Sequence, residues 1–458
     1  MKKRILAVTL CCVLTVAALT GCGDRETGGR DTVEDSVDPE GGGDTVEDSI
    51  DSEGGGDTVE DSIDSESGGD TVENNLASDG GRDTENSGQN ENAESPADEN
   101  SSETESLQDD AAEEAEITMN DISPMELVKE MKIGWNLGNT LDALGGSSGV
   151  DTEMAWGNPK TTQEMIDTVI DQGFNVIRIP VSWGGHMDDA PAYTVLPAWM
   201  DRVQEVVDYA YGRGVYVIVN IHHEDWHFPS EENKDAAAEQ LRALWTTIAT
   251  HFRDYDEHLI FEGLNEPRKT GTSVEWNGGD QEGRDVVNYL DQVFVDAVRA
   301  TGGNNTIRNL MVPGYAASSS DVALKGIVLP QDDHLIVSVH AYTPYDFALN
   351  TAGKSTWDND TRDIDYLMKI LDEQFLSKGV PVIIGEFGAM NKDNEEERVQ
   401  WASYYVGKAR DYGIPCIWWD NGAFEGDGEK FGLINRRELT FPYPDLLKAL
   451  IESAGAQE

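Results

Sequence analysis

The chain is expected to fold as an α/β protein, a (β/α)₈ TIM barrel preceded by a disordered acidic repeat linker. From residue 133 onward, short apolar runs alternate with longer amphipathic stretches, as in βα units around a parallel sheet. The apolar runs number eight, the count that closes such a barrel. Residues 23–116 hold almost no aromatic or large aliphatic side chains, so they cannot bury enough surface to offset backbone entropy. Domains are accordingly drawn at 1–21, 22–117 and 118–458.

Residues 1–21 read as an export signal. Lys2, Lys3 and Arg4 precede an apolar run from Ile5 to Ala18 that is short for a bilayer span and ends at small residues. The ending Leu19-Thr20-Gly21-Cys22 resembles a bacterial lipoprotein box, which implies cleavage before Cys22 and lipidation of its thiol. Several acyl chains would anchor stably where one binds only marginally. The expected location is therefore the cell surface, on a membrane anchor or secreted, which membrane fractionation checks.

In the linker, Asp-Thr-Val-Glu recurs at Asp31, Asp44, Asp57 and Asp70, a period of thirteen residues. Val and Ile are too sparse for a solenoid face, and no calcium-loop spacing is present. A charged spacer is the simpler reading; as a flexible coil its ends would lie ~50–60 Å apart. More than half of the formal charge of −55 falls in this segment. The domain after it is also acidic, which argues against nucleic acid and anionic headgroups as partners but not against a neutral polysaccharide. With Cys11 and Cys12 in the signal and Cys22 lipidated, only Cys416 remains, so neither an internal disulfide nor a cysteine metal cluster is expected.

The eight strands are expected over 133–137, 176–180, 215–221, 259–264, 310–313, 335–340, 382–386 and 416–419. Helical spacing of apolar residues marks 162–172, 198–213, 236–255, 284–301, 363–378 and 395–412. Gly173, Gly214, Gly379 and Gly413 stand where helix C-caps belong. The helix of the fifth unit, after Pro313, is poorly marked.

Polar or aromatic residues gather at the C-terminal ends of these strands, the face at which barrel active sites lie. They are Asn136, Arg178, His222, His223, Asn265, Glu266, His340, Tyr342, Glu386, Trp418 and Trp419. Glu266 and Glu386 end the fourth and seventh runs, and sugar cleavage needs two carboxyl groups flanking one bond. Glu266, beside Pro267 and partly desolvated, is expected to have a raised pKa, as a general acid requires. Glu386 is expected to accept hydrogen bonds and stay ionised. Arg178, a permanent charge in an apolar strand, demands a carboxylate partner, and Glu386 is the candidate.

Adjacent histidines raise the question of metal, but neighbouring strand residues point to opposite faces, so His222 and His223 should not both aim inward. Hydrogen bonds to sugar hydroxyls or carboxylates fit them better, and no metal or cofactor is expected. Trp135, Trp156, Trp183, Trp226, Trp276 and Trp357 are expected near the same rim, where aromatic faces could stack on sugar rings; Trp401 should be core. Trp419 is the candidate ring nearest the scissile bond, with Trp418 facing the helices.

Six phrases together resemble glycoside hydrolase family 5, of clan A: Ile133-Gly-Trp-Asn-Leu-Gly-Asn-Thr140, Gly173-Phe-Asn-Val-Ile-Arg-Ile-Pro180, Asn220-Ile-His-His-Glu224, Phe261-Glu-Gly-Leu-Asn-Glu-Pro267, Val339-His-Ala-Tyr342 and Ile384-Gly-Glu-Phe387. Trp156-Gly-Asn-Pro159 and Trp418-Trp-Asp-Asn-Gly422 resemble its bacterial endo-β-1,4-glucanases. The resemblance implies a retaining mechanism with Glu266 as acid/base and Glu386 as nucleophile. It also implies supporting roles for Arg178, His222, Asn265, His340, Tyr342 and Trp419, and a β-1,4-glucan substrate. Related enzymes prefer xyloglucan, mixed-linkage glucan or mannan. A non-catalytic glycan-binding lipoprotein and a metal-dependent hydrolase are the rivals of other classes, and no obligate protein partner is evident.

Overall fold

The computed structural model describes residues 116–145 and 149–456. The signal segment, Cys22 and nearly all of the linker lie outside the described residues. Eight strands, all parallel, close a barrel in sequence order: β1 Ile133–Leu137, β2 Val176–Ile179, β3 Tyr216–Asn220, β4 Leu259–Glu262, β5 Leu310–Ser318, β6 Leu335–His340, β7 Val382–Phe387 and β8 Cys416–Asp420. Every strand but the last residue of β5 is buried, because helices cover the outside and side chains fill the inside.

The helices follow from spacing and caps. Gln281–Arg299 buries Val286, Val287, Leu290, Phe294 and Val298 on one face, and the Asp280 side chain accepts from the Gly283 amide at its start. Gly173, Gly214, Gly379 and Gly413 all take positive φ after their helices. The last covering helix, Pro444–Ser453, has no counterpart among the helices read from the sequence, although it buries Leu446, Leu447, Leu450 and Ile451. In the fifth unit the helix is only Asp321–Gly326, and β5 instead runs on to Ser318 through a register shift after Pro313. Its weak marking reflects how little helix is there.

The barrel's N-terminal end is plugged. Helix Pro124–Glu130, capped by Ser123, brings Leu127, Val128 and Met131 against the inward side chains Val176, Tyr216, Ile218, Ile260, Met311 and Ile336. With that end filled by apolar packing, only the C-terminal end of the strands is left for polar groups.

Candidate active site

A polar layer sits above the apolar plug and is organised by Arg178 of β2, which is completely buried. Its Nε donates to Glu262 Oε2 at 2.7 Å, Nη1 to Glu386 Oε1 at 2.8 Å and to Asn136 Oδ1 at 2.9 Å, and Nη2 to Asn265 Oδ1 at 2.8 Å. Burial opposes the guanidinium charge, but the two carboxylates outweigh it and raise its proton affinity further. The expected partner Glu386 is therefore one of two. Glu262, the other, was missed by sequence reasoning, although a charged residue inside the apolar run 259–264 was a visible signal. It also accepts from Ser338 Oγ at 2.7 Å and Asn220 Nδ2 at 3.1 Å.

Glu386 reaches the cleft through an irregularity. Ile384 pairs with Cys416 and Phe387 with Trp418, so β7 carries one extra residue against β8, and Gly385 and Glu386 both turn toward the barrel axis. Tyr342 Oη donates to Glu386 Oε2 at 2.9 Å. Glu266 stands just past β4, with Oε1 2.8 Å from His340 Nδ1 and Oε2 3.4 Å from Arg268 Nη1. Ligand atoms of Glu266, His340 and Glu386 all lie within 4.8 Å of one another.

The proton affinities of the two acids run opposite to the expectation from sequence. Burial is the strongest influence on Glu266 and raises it, but the hydrogen bond and charge of His340, with Arg268 and His223, bring it below the ordinary carboxyl value. For Glu386, burial and the nearby Glu266 charge win over His340 and Arg178, and the pKa is raised. The reason is His340. Burial works against its charge, yet Glu386 and Glu266 raise its pKa, and it bonds directly to Glu266.

The cleft wall beside Glu266 is a cavity of about 570 Å³ bordered by His222, His223, Glu224, Trp226 and Arg268. The exclusion of one histidine from this side is corrected: β3 stops at Asn220, so strand alternation no longer governs residues 222 and 223, and both rings border the cavity in edge-on contact at 4.4 Å. Burial lowers both pKa values, His223 to about 4, so both are neutral near pH 7. Trp419 lies parallel to His222 with centroids 5.8 Å apart, and its ring fits because residue 138 is glycine: a Cβ there would approach it to 2.9 Å.

The tryptophans divide. Trp135 and Trp183 are fully buried, with their indole N–H groups on Asp420 and the Asn220 carbonyl, and Trp357 is buried against Tyr404. These three are core rather than rim platforms, a correction to the sequence reading. Trp156 and Trp276 are exposed, at 42% and 60%, and Trp226 borders the cavity. Trp418 packs outward on Phe387 and Trp401.

Among the described residues, two groups of side chains are spaced closely enough for one ion, Asp142 with His222 and His223, and Glu266 with His340 and Glu386. Each is already engaged by protein. Asp142 accepts the Asn139 and Thr140 amides, His222 Nδ1 stands 3.1 Å from Asn220 Nδ2, and His340 is bound to Glu266.

The profile of the family described as cellulase, glycosyl hydrolase family 5, matches residues 138–425, more than half of the chain. The chain belongs to glycoside hydrolase family 5. Among family 5 relatives, endoglucanase A of Ruminococcus albus is 52% identical over 343 residues, covering 73% of this chain and 93% of that protein. Among solved family 5 structures, a broad-specificity endoglucanase of Ruminococcus champanellensis with bound cellotriose is 50% identical at a TM-score of 0.72, covering 73% of this chain and 99% of that one. A xyloglucan-specific endo-β-1,4-glucanase from a metagenomic library, solved with cellotriose, is 44% identical at a TM-score of 0.70, covering 72% and 98%. This family 5 chain is an endo-β-1,4-glucanase.

Proposed function

We propose that the enzyme cleaves internal β-1,4-glucosidic bonds of cellulose-type and related β-glucans with retention of configuration, through a glycosyl ester on Glu386. The observation that carries this reading is the spacing of the two acids, whose nearest oxygens lie within 4.8 Å. Retaining glycosidases place their carboxyl groups ~5–5.5 Å apart, whereas inverting ones leave ~6.5–9.5 Å for a water.

In the first half-reaction Glu266 protonates the leaving oxygen while Glu386 attacks the anomeric carbon. The working state needs Glu266 protonated and Glu386 ionised. The 2.8 Å contact between His340 Nδ1 and Glu266 Oε1 is a path along which a proton can pass to the acid. Arg178 and the Tyr342 hydroxyl hold the two oxygens of Glu386 and stabilise its charge there. Asn265 uses its Oδ1 on Arg178, which leaves its amide N–H groups to donate to the sugar 2-hydroxyl, a contact that strengthens toward the transition state. Asn136, His222, His223 and His340 complete the polar floor, and Trp419 offers an apolar face to a sugar ring.

The test is Glu386→Ala assayed on carboxymethylcellulose, where reducing-end release should fall roughly a thousandfold or more. Near-normal release would sink the assignment, and an α-anomer as the first product would sink retention. The xyloglucan-specific relative favours a second substrate, so rates on xyloglucan and mixed-linkage glucan belong beside those on cellulose.

A further inference from the structure

Arg268 makes four contacts that the mechanism above does not use. Its Nη1 donates to the backbone carbonyl of Glu266 at 3.0 Å and lies 3.4 Å from Glu266 Oε2. Its Nε donates to Glu275 Oε1 at 3.2 Å, and the guanidinium sits over the Trp276 ring, 4.2 Å from the centroid. Glu275 is itself fixed, since its Oε2 accepts the Gly271 amide at 2.8 Å. A cation clamped between an anion and an aromatic face loses little entropy in holding a third group.

Resting on the retaining reading, we propose that Arg268 is a positioning residue for the acid/base: it holds Glu266 Oε2 in place and keeps that carboxyl ionised, with its lone pairs free, when the second half-reaction begins. The step concerned is the second half-reaction. Water attacks the anomeric carbon of the Glu386 ester, the bond from that carbon to the Glu386 oxygen breaks, the nucleophile leaves as a carboxylate, and the water's proton passes to Glu266. A neighbouring cation favours the ionised Glu266 this step needs and opposes the protonated form used in the first. The clamp therefore lowers the fraction of Glu266 that is protonated for the first half-reaction and raises the fraction that is ionised and held in place for the second.

The other charged and titratable groups around Glu266 come from separate elements: Arg178 from β2, His223 after β3, His340 in β6 with Tyr342 just beyond it, Glu386 from β7 and Glu429 after β8. Arg268 is the one among these that shares the loop of Glu266 and touches its outer oxygen.

The experiment compares Arg268→Gln, which removes the charge, with Arg268→Lys, which keeps it, both checked against wild type by thermal melting. Expected for Arg268→Gln is an alkaline limb of kcat/KM on soluble glucan that moves to higher pH. With an activated aryl cellobioside, for which the second half-reaction limits the rate, kcat should fall roughly tenfold. Azide, a nucleophile with no proton to remove, should restore turnover by forming the glycosyl azide. Arg268→Lys should keep the wild-type limb. An unchanged limb in Arg268→Gln, or kcat loss that azide does not repair, overturns the proposal, as does the same shift in both variants. Glu266→Ala is the control for the underlying reading: if azide fails to rescue it, the acid/base assignment itself fails, whatever Arg268 does.

Discussion

At the scale of single residues, the site depends on how charges are arranged inside a barrel that excludes water. Arg178 and Glu262 are both fully buried, and each would be costly alone, so their 2.7 Å contact is what makes either tolerable. Breaking a buried pair by neutralising one member costs about 3–5 kcal/mol. Glu262→Gln should therefore lower Tm by several degrees. It should also reduce kcat, because the guanidinium that holds Glu386, Asn136 and Asn265 in register is freed to tilt toward Glu386. Melting and turnover both matching wild type would remove Glu262 from this role. Glu262 was as legible in the sequence as Arg178, a charge in an apolar run. What the sequence did not show was that the two charges belong together, since they are 84 positions apart and meet only across the barrel interior.

At the scale of elements, the extra residue in β7 decides which side chain reaches the cleft. Strict alternation from the inward Ile383 would send Glu386 out among the helices; the irregularity turns Gly385 and Glu386 the same way. Gly385 is needed there for space. A Cβ on it would lie 3.1 Å from Ser338 Oγ and 3.3 Å from both His340 Nε2 and Met311 Cε. Gly385→Ala should cost about 1–3 kcal/mol of stability by overpacking. It should cut kcat far more than so small a change in stability would suggest, because the crowding falls on His340 and displaces the neighbouring Glu386. Crystal positions of Glu386 and His340 unchanged in an active alanine variant would refute this. The same irregularity shows why the sequence reading succeeded for Glu386 only in part: the acid at the end of an apolar run was plain, but period-two spacing said nothing of an inserted residue.

At the scale of the whole molecule, the described domain carries several histidines that are stable only as neutral rings. Burial lowers His186, His223 and His227 to about 4 and His222 further. An unfolded chain protonates these groups below about 6.5 while the folded one does not, so their contribution to stability is present at neutral pH and lost progressively as pH falls from 6.5 toward 4. Glu224, raised to about 7, and Asp142, raised to about 6, work the other way, since burial disfavours their charge and acid relieves it. So does His340, whose raised value adds stability in acid. The histidine share can be isolated: with one such ring removed, His227→Gln should gain Tm relative to wild type on going from pH 6.5 to 4, and an unchanged difference between the two proteins would contradict it.

The sequence by itself determined the barrel, its eight strand positions and the rim at which the chemistry-bearing residues stand, because hydrophobic periodicity and strand-end polarity are local properties written in order along the chain. It also marked both acids. Only the tertiary structure decided which tryptophans are platforms and which are core, that both histidines after β3 border one cavity, that Arg178 answers to two carboxylates, and that His340 reverses the expected order of proton affinities. Those outcomes depend on distances of a few ångströms between residues far apart in sequence, and Coulomb and hydrogen-bond energies vary steeply over such distances while sequence spacing carries no trace of them.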